Sequence, residues 1–317
     1  MTTTALAAQR PARPGPRPGP QPGTRPGLPG IATTIGHYSG RIVLAAFFGF
    51  PIVFMFVSSL KPDTQIFADM GSVKAFLPVG DVSFDNYRTT LETVPAIRFL
   101  VNSVIVSGLT VGLGLVVNSM AAFGLSRMQW RGRGLVLSVI LATLVVPVET
   151  FALPMLWWVN KLPGLTVQDG ALLWTEGWLD TYHVQILPFV ANAFSIYLYY
   201  SYFQSIPKDL DEAARIDGAG WFRIYRSVIM PLSGPATASV AILTFLPAWN
   251  QYLWPLMVVQ DENLRPVMVG VSYFFQLDIA WGPMMAYATL ITVPVLALFL
   301  TFQRAFIGSI ASSGVKG

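Results

Sequence analysis

The sequence contains no cysteine and only two histidines in 317 residues. The first absence excludes a disulfide framework, a thiolate metal site and a cysteine nucleophile. The histidines, His37 and His183, lie far apart near the ends of apolar runs, and no Ser–His–acid grouping gathers at one depth, which leaves a multi-pass enzyme without machinery. Charge is scarce too: 11% of residues are Asp, Glu, Lys or Arg, against roughly 25% in an ordinary soluble domain. No Gly-Lys dipeptide occurs, so the chain carries no P-loop to cradle nucleotide phosphates. "LSGP" (Leu232–Pro235) reads as the start of a helix. The net charge of +4 is small, and nothing in its pattern suggests a nucleic-acid partner.

What the chain has in abundance is apolar length, 53% of its residues being hydrophobic. Crossing a bilayer takes about 20 apolar residues in a helix. Five uncharged intervals qualify, and a sixth qualifies once Glu149 is accepted within it. The expectation is an all-α polytopic membrane protein with six transmembrane helices near 42–60, 99–126, 134–159, 182–206, 228–259 and 280–303. Six spans put both termini on one side. With the termini cytoplasmic, the inner parts hold fourteen Lys and Arg and the outer parts six, the sense required by the positive-inside rule. The lipid bilayer is the first partner.

The flanks and loops differ in character. Residues 1–36 form a Pro-, Gly- and Arg-rich tail expected to be disordered. It lacks the apolar core of a signal peptide and should stay attached. Residues 37–309 would be the membrane domain, and 310–317 a short cytoplasmic tail. The outer stretch Asn160–His183 carries Trp174 and Trp178. On a helix that spacing would set both indoles on one face, as a docking surface or as headgroup-level anchors.

Polar residues inside the apolar runs are few. Asn118, Asn192, Ser195, Thr244, Asn250 and Gln251 stand near mid-depth, and Asn118 and Asn192 are candidates for the wall of a solute pathway. Trp249, Asn250, Gln251, Tyr252 and Trp254, expected within one turn, would offer a polar solute both amides and an aromatic platform, although Asn and Gln also serve as glue between membrane helices. Glu149 is the one deep acid. An intramembrane carboxylate is functional by default, so an ion-coupled carrier of a polar solute is one reading, weakened by the lack of a second deep acid or histidine.

One segment breaks the apolar pattern. Between Lys208 and Arg226 stand eight charged side chains: Lys208, Asp209, Asp211, Glu212, Arg215, Asp217, Arg223 and Arg226. Carboxylates crowd the first turn of a short helix, where they complement the helix dipole. Gly218 and Gly220 then break it, as residues able to take positive φ. Ala213 and Ala214 invite close approach, which suits a protein groove better than lipid.

Here the chain resembles a known family. Glu212-Ala213-Ala214, three residues, Gly218, nine residues, then Val228-Ile229-Met230-Pro231 is similar to the EAA loop of ABC importer permeases, departing from it at Val228 and Met230. "NSMAAFGLSR" (Asn118–Arg127), "SIPKDLDEAARIDGAG" (Ser205–Gly220), "FLPAWNQYLWPL" (Phe245–Leu256) and the terminal "GVKG" resemble the maltose-type carbohydrate branch. The likeness lapses over the N-terminal tail and near Leu162–Gly177. The resemblance implies a permease subunit paired with a second permease, two ATPase subunits beneath and a sugar-binding protein above. ATP and Mg would sit on the ATPases, with no cofactor on this chain. Glu212, Ala213, Ala214, Arg215, Asp217 and Gly218 would contact the ATPase. A permease for another small polar solute, such as a glycerol phosphate, is the variant reading.

Overall fold

The computed structural model describes residues 31–168, 171–275 and 279–314; most of the expected N-terminal tail, residues 1–30, lies outside them. The chain divides into residues 1–50 and 51–317. In the first unit the described part is helical from Ile31, so the helix begins inside the stretch expected to be tail. That helix, α1, runs Ile31–Ser58.

The second unit continues with α2 (Asp63–Asp69), α3 (Asp85–Thr93), α4 (Ala96–Ser126), α5 (Arg133–Thr143) and α6 (Ala152–Val159). A two-stranded hairpin follows, β1 (Pro163–Gln168) antiparallel to β2 (Ala171–Glu176). Then come α7 (Tyr182–Val190), α8 (Ala193–Ser205), α9 (Asp209–Ile216), α10 (Trp221–Ile224), a π turn at Tyr225–Ile229, and α11 (Met230–Leu232). The chain ends through α12 (Gly234–Trp249), α13 (Leu253–Val258), α14 (Val267–Gly270) and α15 (Trp281–Gly314). Helix therefore extends into the stretch expected to be C-terminal tail.

Among the described residues, Tyr38–Ser58, Ala96–Ser126 and Trp281–Thr301 are long and apolar enough to cross a membrane as single helices. Trp221–Leu232 with Gly234–Trp249 passes the same test as a pair bent by 82°. The protein is thus a helical, polytopic membrane protein. The bend has a local cause: Pro231 lacks an amide hydrogen, a π turn precedes it, and Ser233 donates its hydroxyl back to Ile229 O at 2.6 Å. Each of these is a recognised source of helix kinks.

Helix α4 organises the second unit, packing against α7, α8 and α12. Its inward stripe is small and polar: Ser103, Ser107, Thr110, Gly114, Asn118 and Ala122 are buried, recurring about every four residues. In lipid, where apolar contact alone gains little, small residues that let backbones approach are what hold helices together. Gly114 shows the limit, since a Cβ there would lie 3.3 Å from Val190 O. Toward one end of α4, a core of Phe123, Tyr199, Phe203, Ile224, Ile229 and Val240 sits beneath the charged segment.

The segment after α1 is folded rather than loose. Lys61, 1% exposed, donates to Asp69 Oδ2 at 2.9 Å and to Lys74 O at 2.7 Å. Hydrogen bonds from Lys61 and Gln65, with the Lys61 charge, hold the Asp69 carboxyl below its ordinary range. Asp63 caps α15, accepting from Trp281 N at 3.0 Å and Gly282 N at 2.7 Å. That places a carboxylate on the positive end of a 34-residue helix.

Candidate functional site

Three breaks in apolar helices meet around one cavity. The first follows Pro147, where α5 gives way to a short 3-10 turn at Val148–Phe151 before α6. The second is Ala191–Asn192 between α7 and α8, both extended. The third is Asn250–Tyr252 between α12 and α13. Backbone released from a helix needs other partners in lipid and is tolerated where it is buried in protein or lines a cavity.

Asn118 is the splint of the second break. Fully buried on α4, it donates to Val190 O at 2.9 Å and accepts from Asn192 N at 2.9 Å. Asn192 then caps α8, its Oδ1 accepting from Ser195 N at 3.0 Å. Ser195 Oγ meets Thr244 Oγ1 at 3.4 Å, joining α8 to α12.

The cavity has a volume of about 430 Å³. Its wall includes Thr110, Glu149, Phe189, Asn192, Thr244, Asn250, Gln251, Tyr252 and Trp254. Four of the residues expected from the sequence, Glu149, Asn192, Asn250 and Tyr252, are therefore brought together. Two are not. Trp249 is 2% exposed and stacks on Phe245 at 5.4 Å, because it is the last residue of α12 and faces the core beside Val267 and Tyr287. Asn118 is spent on backbone and does not reach the cavity wall. The residues 249–254 do not form one helical turn, since the chain leaves the helix at Asn250. Thr244, Gln251 and Trp254, also named from the sequence, belong to the wall as well, and so does Thr110, which had not been singled out. Thr110 was legible in principle as one of the polar members of the α4 stripe.

The charged segment forms a second feature. Helix α9 is held by Arg127, whose side chain is 2% exposed. The guanidinium donates to Asp211 Oδ2 at 3.0 Å, to Ile206 O at 2.9 Å and to Phe203 O. It thereby joins Ile206 N on Phe203 O and supplies a donor to Ile206 O just past the end of α8, at the negative end of the dipole. Asp211 and the half-buried Ala214 form the seated side of α9, while Glu212, Ala213, Arg215, Ile216, Asp217 and Gly218 are exposed. Ile216 is 87% exposed, an apolar side chain bared beside charged ones.

The elbow after α9 is a Schellman cap. Gly218 has φ +77°, Gly218 N donates to Arg215 O at 3.0 Å, and Ala219 N donates to Ala214 O at 2.9 Å. This is the geometry that favours glycine one residue past a helix end. Gly220 departs from expectation: its φ is −74°, so it opens α10 without the left-handed conformation. Arg215 lies over the Trp221 ring at 5.1 Å, and Trp221 meets Phe123 of α4 edge to face.

The two tryptophans expected to share a helix face do not. Trp174 lies on strand β2, opposite Leu165, and is 77% exposed. Trp178 follows the hairpin and is half-buried, donating Nε1 to Pro163 O at 2.8 Å with its ring against His183. The signal for the hairpin was Asp169-Gly170, a turn dipeptide flanked by two apolar runs.

Broken helices around a partly polar cavity, with a charged helical loop at one end, define a membrane transport component. The chain belongs to the family of binding-protein-dependent transport system inner membrane components, whose pattern matches residues 110–311. It is therefore a transport subunit and not an enzyme. It is 31% identical to the trehalose/maltose transport system permease protein of Thermococcus litoralis over 288 residues, covering 88% of this chain and 95% of that one. It is 30% identical to the arabinooligosaccharides transport system permease protein of Bacillus subtilis, covering 87% and 93%. Identity to the sn-glycerol-3-phosphate transport system permease protein of Brucella abortus is 32%, covering 87% and 95%. In fold it matches a chain of a bacterial ABC transporter that imports the acidic polysaccharide alginate, with a TM-score of 0.71 at 23% identity, covering 88% of this chain and 99% of that one.

Proposed function

We propose that this chain is one of two permease subunits of an ABC-type carbohydrate importer, forming half of the sugar pathway. It crosses the cytoplasmic membrane six times with both termini inside, three of the spans being the broken helices around the cavity. Two ATPase subunits bind ATP and Mg beneath it and engage the 209–231 loop through Glu212, Ala213, Ala214, Arg215, Asp217 and Gly218. A binding protein delivers sugar from outside. The observation that carries the reading is the exposed face of α9, clamped to α4 and α8 through Arg127, with the same α4 lining the cavity at Thr110. A push on α9 then has a continuous path to the wall of the cavity.

The energy source separates this from an ion-coupled carrier using Glu149. In proteoliposomes containing the assembled importer, uptake should require enclosed ATP and the binding protein, and should persist when a protonophore collapses the proton gradient. Uptake that stops with the protonophore at constant ATP overturns the ABC reading.

We also infer that the hairpin contacts the binding protein through Trp174, the exposed aromatic. Loss of an aromatic anchor at an interface hot spot costs about 2 kcal/mol or more. Trp174→Ala should then raise the binding-protein concentration for half-maximal ATPase stimulation by at least about tenfold. An unchanged concentration dependence would leave Trp174 as a headgroup anchor only. Trp178, already committed to Pro163 O, serves the hairpin's own fold.

A further inference from the structure

The cavity wall carries a single formal charge. Among the residues lining it, Glu149 is the only carboxylate, and there is no Lys, Arg or His. Glu149 is exposed in the turn after Pro147, and no hydrogen bond or ion pair engages its side chain among the described residues. Recognition of a phosphate or carboxylate ordinarily uses Arg or Lys or a helix N-terminus with free amides. Three helices begin at the wall, α6, α8 and α13: α8 is capped from within by Asn192 Oδ1 on Ser195 N at 3.0 Å, α13 is a helix of only six residues, and Glu149 itself stands in the turn that leads into α6. A carboxylate with no cation opposite it makes such a wall repel anions.

The remaining wall offers groups suited to hydroxyls. Thr110 belongs to the wall although it is 1% exposed, and its buried Oγ1 has no hydrogen-bond partner among the described residues, an unusual state for a buried hydroxyl. Gln251 presents a side-chain amide, and Tyr252, 40% exposed, an aromatic ring. A neutral sugar or polyol has the donors for Glu149 and the acceptors for Thr110. It also has an apolar ring face for Tyr252.

We propose that Glu149 acts as a charge filter, so that this half of the pathway admits uncharged saccharides or polyols and rejects anionic ones such as sugar phosphates or uronic acids. The proposal rests on the transport reading above, and it makes Glu149 a determinant of solute class, with no part in proton coupling.

The absence of cysteine gives a direct test in the assembled importer. Gln251→Cys places one thiol of this chain on the wall, with Ala248→Cys as a second reporter. Each is treated with a cationic trimethylammonium-ethyl and an anionic sulfonatoethyl methanethiosulfonate, and the rates on this chain are divided by those for a free thiol. The cationic reagent should be favoured at least about tenfold, since the two reagents differ by two unit charges and even water leaves each an appreciable interaction with a carboxylate a few ångströms away. Glu149→Gln should bring that ratio close to one at both reporters. A ratio already near one in the parent, or one that Glu149→Gln leaves in place, overturns the filter. Failure here leaves the ATP-dependence of uptake untouched, and that separate measurement decides the transport reading.

Discussion

Arg127→Met should lower the thermal midpoint of the purified protein in detergent by on the order of 10 °C. The guanidinium is 2% exposed and the Asp211 side chain 11%. Removing one partner of a buried pair strands the other charge and typically costs about 3–5 kcal/mol. In larger domains each kcal/mol shifts the midpoint by roughly 2–4 °C. At the same time Ile206 O loses the guanidinium donor, and Phe203 O is left with Ile206 N alone. The companion change Asp211→Leu discriminates between causes. If the stranded carboxylate dominates, Arg127→Met with Asp211→Leu should recover at least half of the loss, since apolar groups can replace a buried pair with little penalty. Tryptophan emission during heating reads both. A single variant as stable as the parent, or a double variant no better than the single, would show that α9 is held by packing around Phe123 and Trp221.

The same residues mark what a sequence discloses about this fold. The apolar runs were legible because lipid demands length, and length can be counted. The helix and glycine elbow at 209–218 were legible because a left-handed residue restricts the choice of side chain sharply. The breaks were not. Pro147, Pro188 and Asn192 lie inside runs whose composition permits a continuous helix, and only the facing Asn118 makes the second break tolerable. That pairing joins positions 118 and 190, and no local pattern reports a contact over 72 residues. For the same reason Asn118 was read as a wall residue when it is a splint. Trp249 was misplaced by assuming that residues 249–254 continue one helical turn, whereas the chain leaves the helix at Asn250. Trp174 and Trp178 illustrate a wrong period: spacing by four was weighed, and the alternation on either side of Asp169-Gly170 was not. The six-span count itself depends on joining broken helices, which hydropathy cannot distinguish from straight ones.

Gly218→Val should abolish coupling between the ATPases and the pathway while leaving membrane insertion intact. Gly218 has φ +77°, and a Cβ built there meets nothing within 4 Å. The Cβ therefore meets no obstacle within this chain, and the expected effect is backbone strain, about 1–2 kcal/mol for an ordinary L-residue in the left-handed region and more for a β-branched one. The Schellman bonds at Arg215 O and Ala214 O depend on that conformation, so relieving the strain means losing the fixed angle between α9 and α10. A force transmitted through α9 then dissipates in the elbow. Transport should fall by about tenfold or more, the equivalent of about 1.4 kcal/mol, and basal ATP hydrolysis should lose its stimulation by loaded binding protein. Gly218→Asn is the informative control, because Asn tolerates positive φ while adding a side chain of similar bulk. It should retain most of the stimulation. Glu212→Lys probes the exposed face independently, reversing a charge on α9 without touching the elbow, and should weaken ATPase engagement in a salt-dependent manner. Parent-like transport and stimulation in both Gly218→Val and Glu212→Lys would remove this loop from the coupling path. If Asn fails as badly as Val, the defect lies in space that the ATPase occupies when bound, and the strain argument falls while the contact stands.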